Sequence, residues 1–299
     1  MNFLSIEQLS GERLRHLLER ALFWKQQRGA SSDLLSGQTW GLMFTKSSTR
    51  TRVSFEVGVR EMGGSVMFLS GRDLQLGRGE PIRDTARVMG RMIHGAIIRN
   101  DSQADLEEFA QYAGIPTINA LTEMEHPCQV LADLLTLREF LGKDWEKEAV
   151  CFLGDGDCNM ARSWIWAAAH LGLDLTIAAP PAFQPSKELI GQSGNTVNVI
   201  GDPREAVRDA RVLYTDVWVS MGREEESESR LQTLKPYQIN EELLGLTGAS
   251  PLVLHCLPAY REKEITESVL EAQADVIFQQ AENRIHAQKA ILEFCVEHS

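Results

Sequence analysis

A chain of 299 residues is long for a single hydrophobic core and points to two domains of about 100 to 150 residues each. Its composition, 43% hydrophobic and 24% charged without a low-complexity tract, excludes an intrinsically disordered protein. A formal charge of -12 argues against nucleic acid or an anionic membrane as a partner, so any anion site has to be a local concentration of positive groups.

An amphipathic pattern over residues 5–27 predicts an opening helix. Beyond it, short apolar runs alternate with longer helical patterns. Strands are predicted over residues 40–44, 65–69, 96–99 and 117–121, and again over 149–153, 173–179, 196–200, 212–217 and 252–257. Strands separated by helices are the rhythm of a parallel sheet with crossover connections. The expected fold class is therefore α/β: two doubly wound parallel-sheet domains with a cleft between them. The charged stretch 142–148 divides residues 1–142 from residues 148–281. A last helix over 282–296 closes the chain, and the segment 282–299 is expected to return to the first domain. In such sheets ligands bind beyond the carboxyl ends of the strands, so the residues just after each strand carry the chemistry.

Cys128, Cys151, Cys158, Cys256 and Cys295 are odd in number, widely spaced and never in a C-x-x-C pair. That usage fits a reducing compartment better than a disulfide framework or a zinc site. The amino terminus has the pattern of neither a secretory leader nor an Arg-rich presequence, and no apolar run reaches membrane-spanning length. A cytoplasmic protein is expected.

After the first strand comes Thr45-Lys46-Ser47-Ser48-Thr49-Arg50-Thr51-Arg52, where a helical pattern begins. Free N–H groups and the positive end of a helix dipole favour an anion there, and Arg50 can add paired charge-assisted bonds to phosphate. The competing reading is a Ser/Thr helix cap with two solvated arginines. Arg99 ends the third predicted strand, and His126 opens a helix with Pro127 in its first turn. Each taken alone is more often a surface charge or a cap.

In the second half Asp216 stands near the end of a strand, ahead of Ser220-Met221-Gly222 and an acidic stretch, 223–230, that offers a candidate lid. A carboxylate at that place suits an amino acid's ammonium group, or caps whatever follows. The loop Leu153-Gly154-Asp155-Gly156-Asp157-Cys158-Asn159 is superficially like a dinucleotide turn, but Asn159 occupies the place of the third glycine. Cys256, between an apolar run and Leu257-Pro258, either opens on a cleft or belongs to the core.

Several strings in this order resemble the aspartate and ornithine carbamoyltransferase family, with the ornithine branch the nearer match. They are residues 44–56, His126-Pro127-Cys128-Gln129, Asp216-Val217-Trp218-Val219-Ser220-Met221-Gly222 and His255-Cys256-Leu257-Pro258, supported by residues 76–82 and Gln280-Ala281-Glu282-Asn283-Arg284. The resemblance implies that Ser48, Thr49, Arg50 and Thr51 bind the phosphate of carbamoyl phosphate and that Arg99 bridges phosphate and carbonyl oxygen. His126, Pro127, Cys128 and Gln129 take the carbamoyl end, Cys256 and Leu257 lie beside it, and Arg284 supports the phosphate and carbonyl side. A neighbouring subunit of a homotrimer is implied to complete the pocket through the position of Gln75. Asn159, Asp216, Ser220 and Met221 are implied to hold L-ornithine, with Ser220-Met221-Gly222 setting substrate class. Family members commonly have two adjacent asparagines where this chain has Cys158-Asn159, which leaves the geometry of that loop open.

The implied reaction transfers the carbamoyl group to the δ-amine of L-ornithine, giving L-citrulline and phosphate. It belongs to amino-acid metabolism, including arginine biosynthesis, and needs neither cofactor nor metal. Arg99, His126, Asp216, Cys256 and Arg284 are the expected catalytic groups. The alternatives are transfer to acetylornithine or putrescine, a non-catalytic ligand-binding relative, and a nicotinamide oxidoreductase, the last disfavoured by the incomplete glycine loop.

Overall fold

The computed structural model describes residues 1–30, 32–71, 79–194, 196–219 and 227–297. Contacts divide the chain into a first unit, 1–135 with 282–299, and a second, 136–281. The first boundary falls inside a helix rather than in the charged stretch after it, which forms a tight 3-10 turn over Gly142–Lys147 with Trp145 buried.

In the first unit β1 (Thr39–Phe44), β2 (Ser65–Ser70), β3 (Gly95–Arg99) and β4 (Thr117–Leu121) form a parallel sheet in the order β2-β1-β3-β4. The helices here are α1 (Gly11–Gln26), α2 (Thr49–Glu61), α3 (Ile82–Met89), α4 (Gln103–Ala113) and α5 (Pro127–Leu141), the last running into the second unit. On one side of the sheet Met43, Ala96 and Ile98 pack with Ala86, Leu106 and Phe109 of α3 and α4. Each large apolar side chain removed from water this way contributes about 1.5–3 kcal/mol.

In the second unit β5 (Val150–Leu153), β6 (Leu175–Ala178), β7 (Val197–Ile200), β8 (Val212–Thr215) and β9 (Leu252–His255) form a parallel sheet in the order β7-β6-β5-β8-β9. Its helices are α6 (Asn159–Leu171), α7 (Lys187–Gln192), α8 (Pro203–Ala206), α9 (Ser227–Leu234), α10 (Glu241–Leu244) and α11 (Glu267–Ala272). The chain ends in α12 (Ala274–Glu297), which starts in this unit and packs its second part in the first. There Lys289 pairs with Glu61 of α2, and Glu293 accepts from Arg20 and Trp24 of α1.

Each sheet has one topological switch point, between β1 and β3 in the first and between β5 and β8 in the second. The chain leaves in opposite directions on either side of such a point, opening a crevice at the strands' carboxyl ends.

All nine predicted strands are present, with differences at their ends. α1 begins at Gly11, not near Ser5, because the Glu125 carboxylate accepts from the N–H groups of Ile6 and Glu7 while Ser10 caps the helix. β8 stops at Thr215 because Asp216 takes the Val217 N–H on its own side chain at 2.7 Å. β9 stops at His255, whose Nδ1 accepts from the Leu257 N–H, with Leu257 in the left-handed region (φ 56°). The last helix begins at Ala274, ahead of the predicted residue 282, since Ile277 enters the second unit's core and Gln280 accepts from the His255 N–H.

Candidate active site

The first half-site lies at the switch point between β1 and β3. β1 runs into the loop 45–48, and the Thr45 N–H donates to the Arg99 carbonyl at 3.0 Å, locking the loop to the end of β3. Ser48 sits at the N-cap of α2 with extended backbone, yet its hydroxyl makes no capping bond. The capping alternative for this string therefore fails at the residue that would serve it, and the hydroxyl stays available to a ligand. Arg52 is accounted for elsewhere, its guanidinium lying 3.6 Å above the Phe68 ring.

Arg99 reaches its position through an irregularity in the ladder, where the β3–β4 register shifts between Ile98 and Arg99. Such shifts re-aim a side chain at a strand end. From α12, Arg284 donates to the hydroxyl of buried Thr51 at 2.5 Å. His126, just before α5, is 5% exposed. Burial, then the positive charges of Arg284, Arg99 and Arg50, hold its imidazole well below the ordinary value of 6.5. Three arginines thus surround one neutral histidine, a local positive centre in a chain of charge -12.

Within the α5 string, Pro127 occupies the first helical position, where its missing N–H costs nothing. Gln129 donates from Nε2 to Asp133 at 2.8 Å, and its Oε1 is a buried acceptor with no hydrogen-bond donor among the described residues. The Cys128 thiol donates to the Asn119 carbonyl at 3.2 Å and is fully buried, with burial pushing its pKa up. Only the main chain of Cys128 is left to meet a ligand.

The second half-site lies at the other switch point. Asn159 opens α6, and Asp216 follows β8. The Cys256 thiol donates to Asp216 Oδ1 at 2.8 Å. Burial raises the Asp216 pKa, while His255, the Cys256 hydrogen bond and the Val217 N–H act against that rise. Asp216, His255 and Cys256 lie within 4.8 Å of one another, a grouping that invites a metal reading. Their bonding argues against it: the Cys256 thiol is given to Asp216, and the imidazole is held by other partners. His255 accepts at Nδ1 from Leu257 and faces Glu264 through Nε2 at 3.1 Å, so both ring nitrogens are engaged.

His255 and Glu264 are fully buried and belong to the site's support, although the sequence assigned a role to neither. His255 had a signal in standing next to Cys256. Glu264 had none, since only the fold brings it beneath the loop, where it also accepts from the Tyr260 N–H.

Cys158 caps α6, its sulfur accepting from the Ala161 N–H at 3.4 Å, so the helix start is preserved despite the departure from two asparagines. Burial and the carboxylates of Asp155 and Asp216 push its thiol pKa up. The glycines of the loop are packing requirements. A Cβ on Gly154 (φ 119°) would lie 2.8 Å from the Trp218 indole nitrogen, and one on Gly156 would lie 2.6 Å from Ile177. Gln75, Ser220 and Met221 lie outside the described residues, as does 223–226 of the candidate lid; Ser227 onward begins α9.

The family model described as aspartate/ornithine carbamoyltransferase, carbamoyl-P binding domain, matches residues 1–139, and that described as the Asp/Orn binding domain matches residues 146–295. The ornithine carbamoyltransferase of Akkermansia muciniphila is 58% identical, covering 97% of this chain and 96% of its own. That of Methanoculleus marisnigri is 47% identical over 97% and 95%. Among solved structures, the anabolic ornithine carbamoyltransferase of Campylobacter jejuni superposes with a TM-score of 0.95 at 39% identity, covering 100% of this chain and 99% of that one. The Pyrococcus furiosus ornithine carbamoyltransferase gives 0.92 at 40% identity, over 97% and 95%. Motifs, fold and full-length relatives agree, and the chain belongs to the aspartate/ornithine carbamoyltransferase family.

Proposed function

We propose that this protein is an ornithine carbamoyltransferase, moving the carbamoyl group of carbamoyl phosphate to the δ-amine of L-ornithine. The observation that carries the reading is the gathering of Arg50, Arg99 and Arg284 about a neutral His126 at the first switch point. Such a centre fits a dianionic phosphate joined to a polarised carbonyl. The relatives' names support ornithine as the acceptor.

In this reading Ser48, Thr49, Arg50 and Thr51 hold the phosphate at the start of α2, where the helix dipole adds to the arginines. Arg284 orients Thr51 and adds charge. Gln129 Oε1 accepts from the carbamoyl NH2, and Cys256 and Leu257 contribute main-chain contacts. Asn159, Asp216, Ser220 and Met221 hold ornithine. The neutral δ-amine attacks the carbamoyl carbon and forms the new C–N bond. Negative charge gathers on the former carbonyl oxygen, where Arg99, His126 and Thr51 donate. The tetrahedral intermediate then collapses, breaking the C–O bond to phosphate, which leaves with its electron pair balanced by Arg50. Asp216, with its raised pKa, is the acceptor for the proton the amine loses, and the Cys256 thiol steadies its ionised form.

The first unit, residues 1–135 with 282–299, is accordingly the carbamoyl-phosphate domain, and the second, residues 136–281, the ornithine domain. The protein acts as a homotrimer in which a neighbour supplies Gln75, and it works in the cytoplasm in arginine synthesis. All five cysteines being thiols suits that compartment. The test is citrulline formation with ornithine beside aspartate, acetylornithine and putrescine. Ornithine-selective turnover abolished by Arg50→Ala is expected. Turnover with another acceptor alone would overturn the substrate, and none with any acceptor would restore the non-catalytic alternative.

A further inference from the structure

α9 carries Arg230, a residue only 9% exposed although it belongs to a surface helix. A buried arginine is costly unless its donors are satisfied. Here Nε donates to the Trp218 carbonyl at 2.9 Å, Nη2 pairs with the Asp155 carboxylate, and the plane lies 4.6 Å from the Phe183 ring centroid. Asp155 belongs to the loop after β5 that leads to Asn159, and its other oxygen accepts from the Asp157 N–H at 3.1 Å. Trp218 comes two residues after Asp216, and its indole packs against Gly154. The two loops at the second switch point are therefore tied to each other by one side chain arriving from a third element.

We infer that Arg230 is a positioning residue for the amino-acid half-site: by joining Asp155 to the Trp218 carbonyl it sets the spacing between Asn159 and Asp216 on which ornithine binding depends. The inference rests on the proposed ornithine reading. Charge adds to geometry, because Arg230 neutralises Asp155. Without it the Asp155 carboxylate competes with Asp216 for the substrate's ammonium groups. Arginine is required, since its fork reaches a carboxylate and a carbonyl together while a lysine ammonium supplies the charge without the fork.

The experiment is steady-state kinetics of the full-length enzyme and of Arg230→Gln, Arg230→Lys and Arg230→Gln/Asp155→Asn, with carbamoyl phosphate binding and Tm measured alongside. Displacing substrate-holding loops costs on the order of 10- to 100-fold, so the ornithine KM of Arg230→Gln rises by that factor with unchanged carbamoyl phosphate affinity. Arg230→Lys lies between, and Asp155→Asn in the Gln background recovers part of the loss by removing the competing charge. A purely structural role lowers Tm and leaves KM alone. An ornithine KM within about twofold of wild type in the Gln or Lys variant, or a parallel loss of carbamoyl phosphate affinity, overturns the inference. If Arg230→Gln fails to fold, Arg230→Lys decides. Wild-type turnover is measured first, so a failure of ornithine as substrate is seen separately, and the same KM comparison is then made with whichever acceptor is used.

Discussion

At the scale of single residues, the charges around His126 and Asp216 set the pH behaviour. His126 has a folded pKa well below 6.5, so beneath the unfolded value the unfolded chain binds the proton that the folded one refuses. Stability therefore rises with pH through that window and is lost as pH falls. His286 on α12, lowered by burial to about 4, adds a contribution of the same sign between about 4 and 6.5. Urea midpoints measured across this range should drop less steeply in His286→Gln than in wild type. Asp216 has the opposite setting. The Cys256 hydrogen bond favours its ionised form, so Cys256→Ala should raise its pKa further and move the acid limb of kcat to higher pH. An unmoved limb together with unchanged kcat would remove Cys256 from the proton path. Arg99→Ala, which deletes the proposed donor to the developing oxyanion, should lower kcat about 100- to 1000-fold, as read by citrulline formation.

At the scale of elements, two serines at helix starts separate structure from function. Ser102 caps α4 by accepting from the Asp105 N–H at 3.1 Å, whereas Ser48 makes no such bond at α2. Ser102→Ala should cost about 1 kcal/mol by denaturant titration and leave activity intact. Ser48→Ala should cost no more than a few tenths of that and weaken carbamoyl phosphate binding instead. In the loop between β5 and α6, Gly154→Ala meets both a positive φ and the Trp218 indole at 2.8 Å. A loss of about 1–3 kcal/mol and a higher ornithine KM should appear together, since the loop carries Asn159. Strand cores were legible because short apolar runs between helical patterns have few other readings. Strand ends were not, because Asp216 and His255 take up N–H groups that pattern alone assigns to the ladder.

For the whole molecule, the proposed trimer predicts a sedimentation mass about three times the 33.5 kDa of the chain. Mixing a Gln75→Ala variant with an Arg284→Ala variant should recover activity that neither has alone, because some shared sites then receive both intact residues. Sequence by itself determined the two α/β units, the Ser/Thr/Arg-rich loop at the start of α2 and the family strings, because each is encoded locally, in a periodicity or in a run of adjacent residues. Arg50, Arg99, His126 and Arg284 are scattered over more than 200 positions of sequence and become one centre only when β1 and β3 pair and α12 packs in the first unit. Tertiary structure alone also decided that Cys128 turns its thiol to Asn119, that Glu264 supports His255, and that Arg230 joins two loops. Those contacts bridge separations that no local pattern records, and burial, which makes their charges and hydrogen bonds strong, exists only once the chain has closed around them.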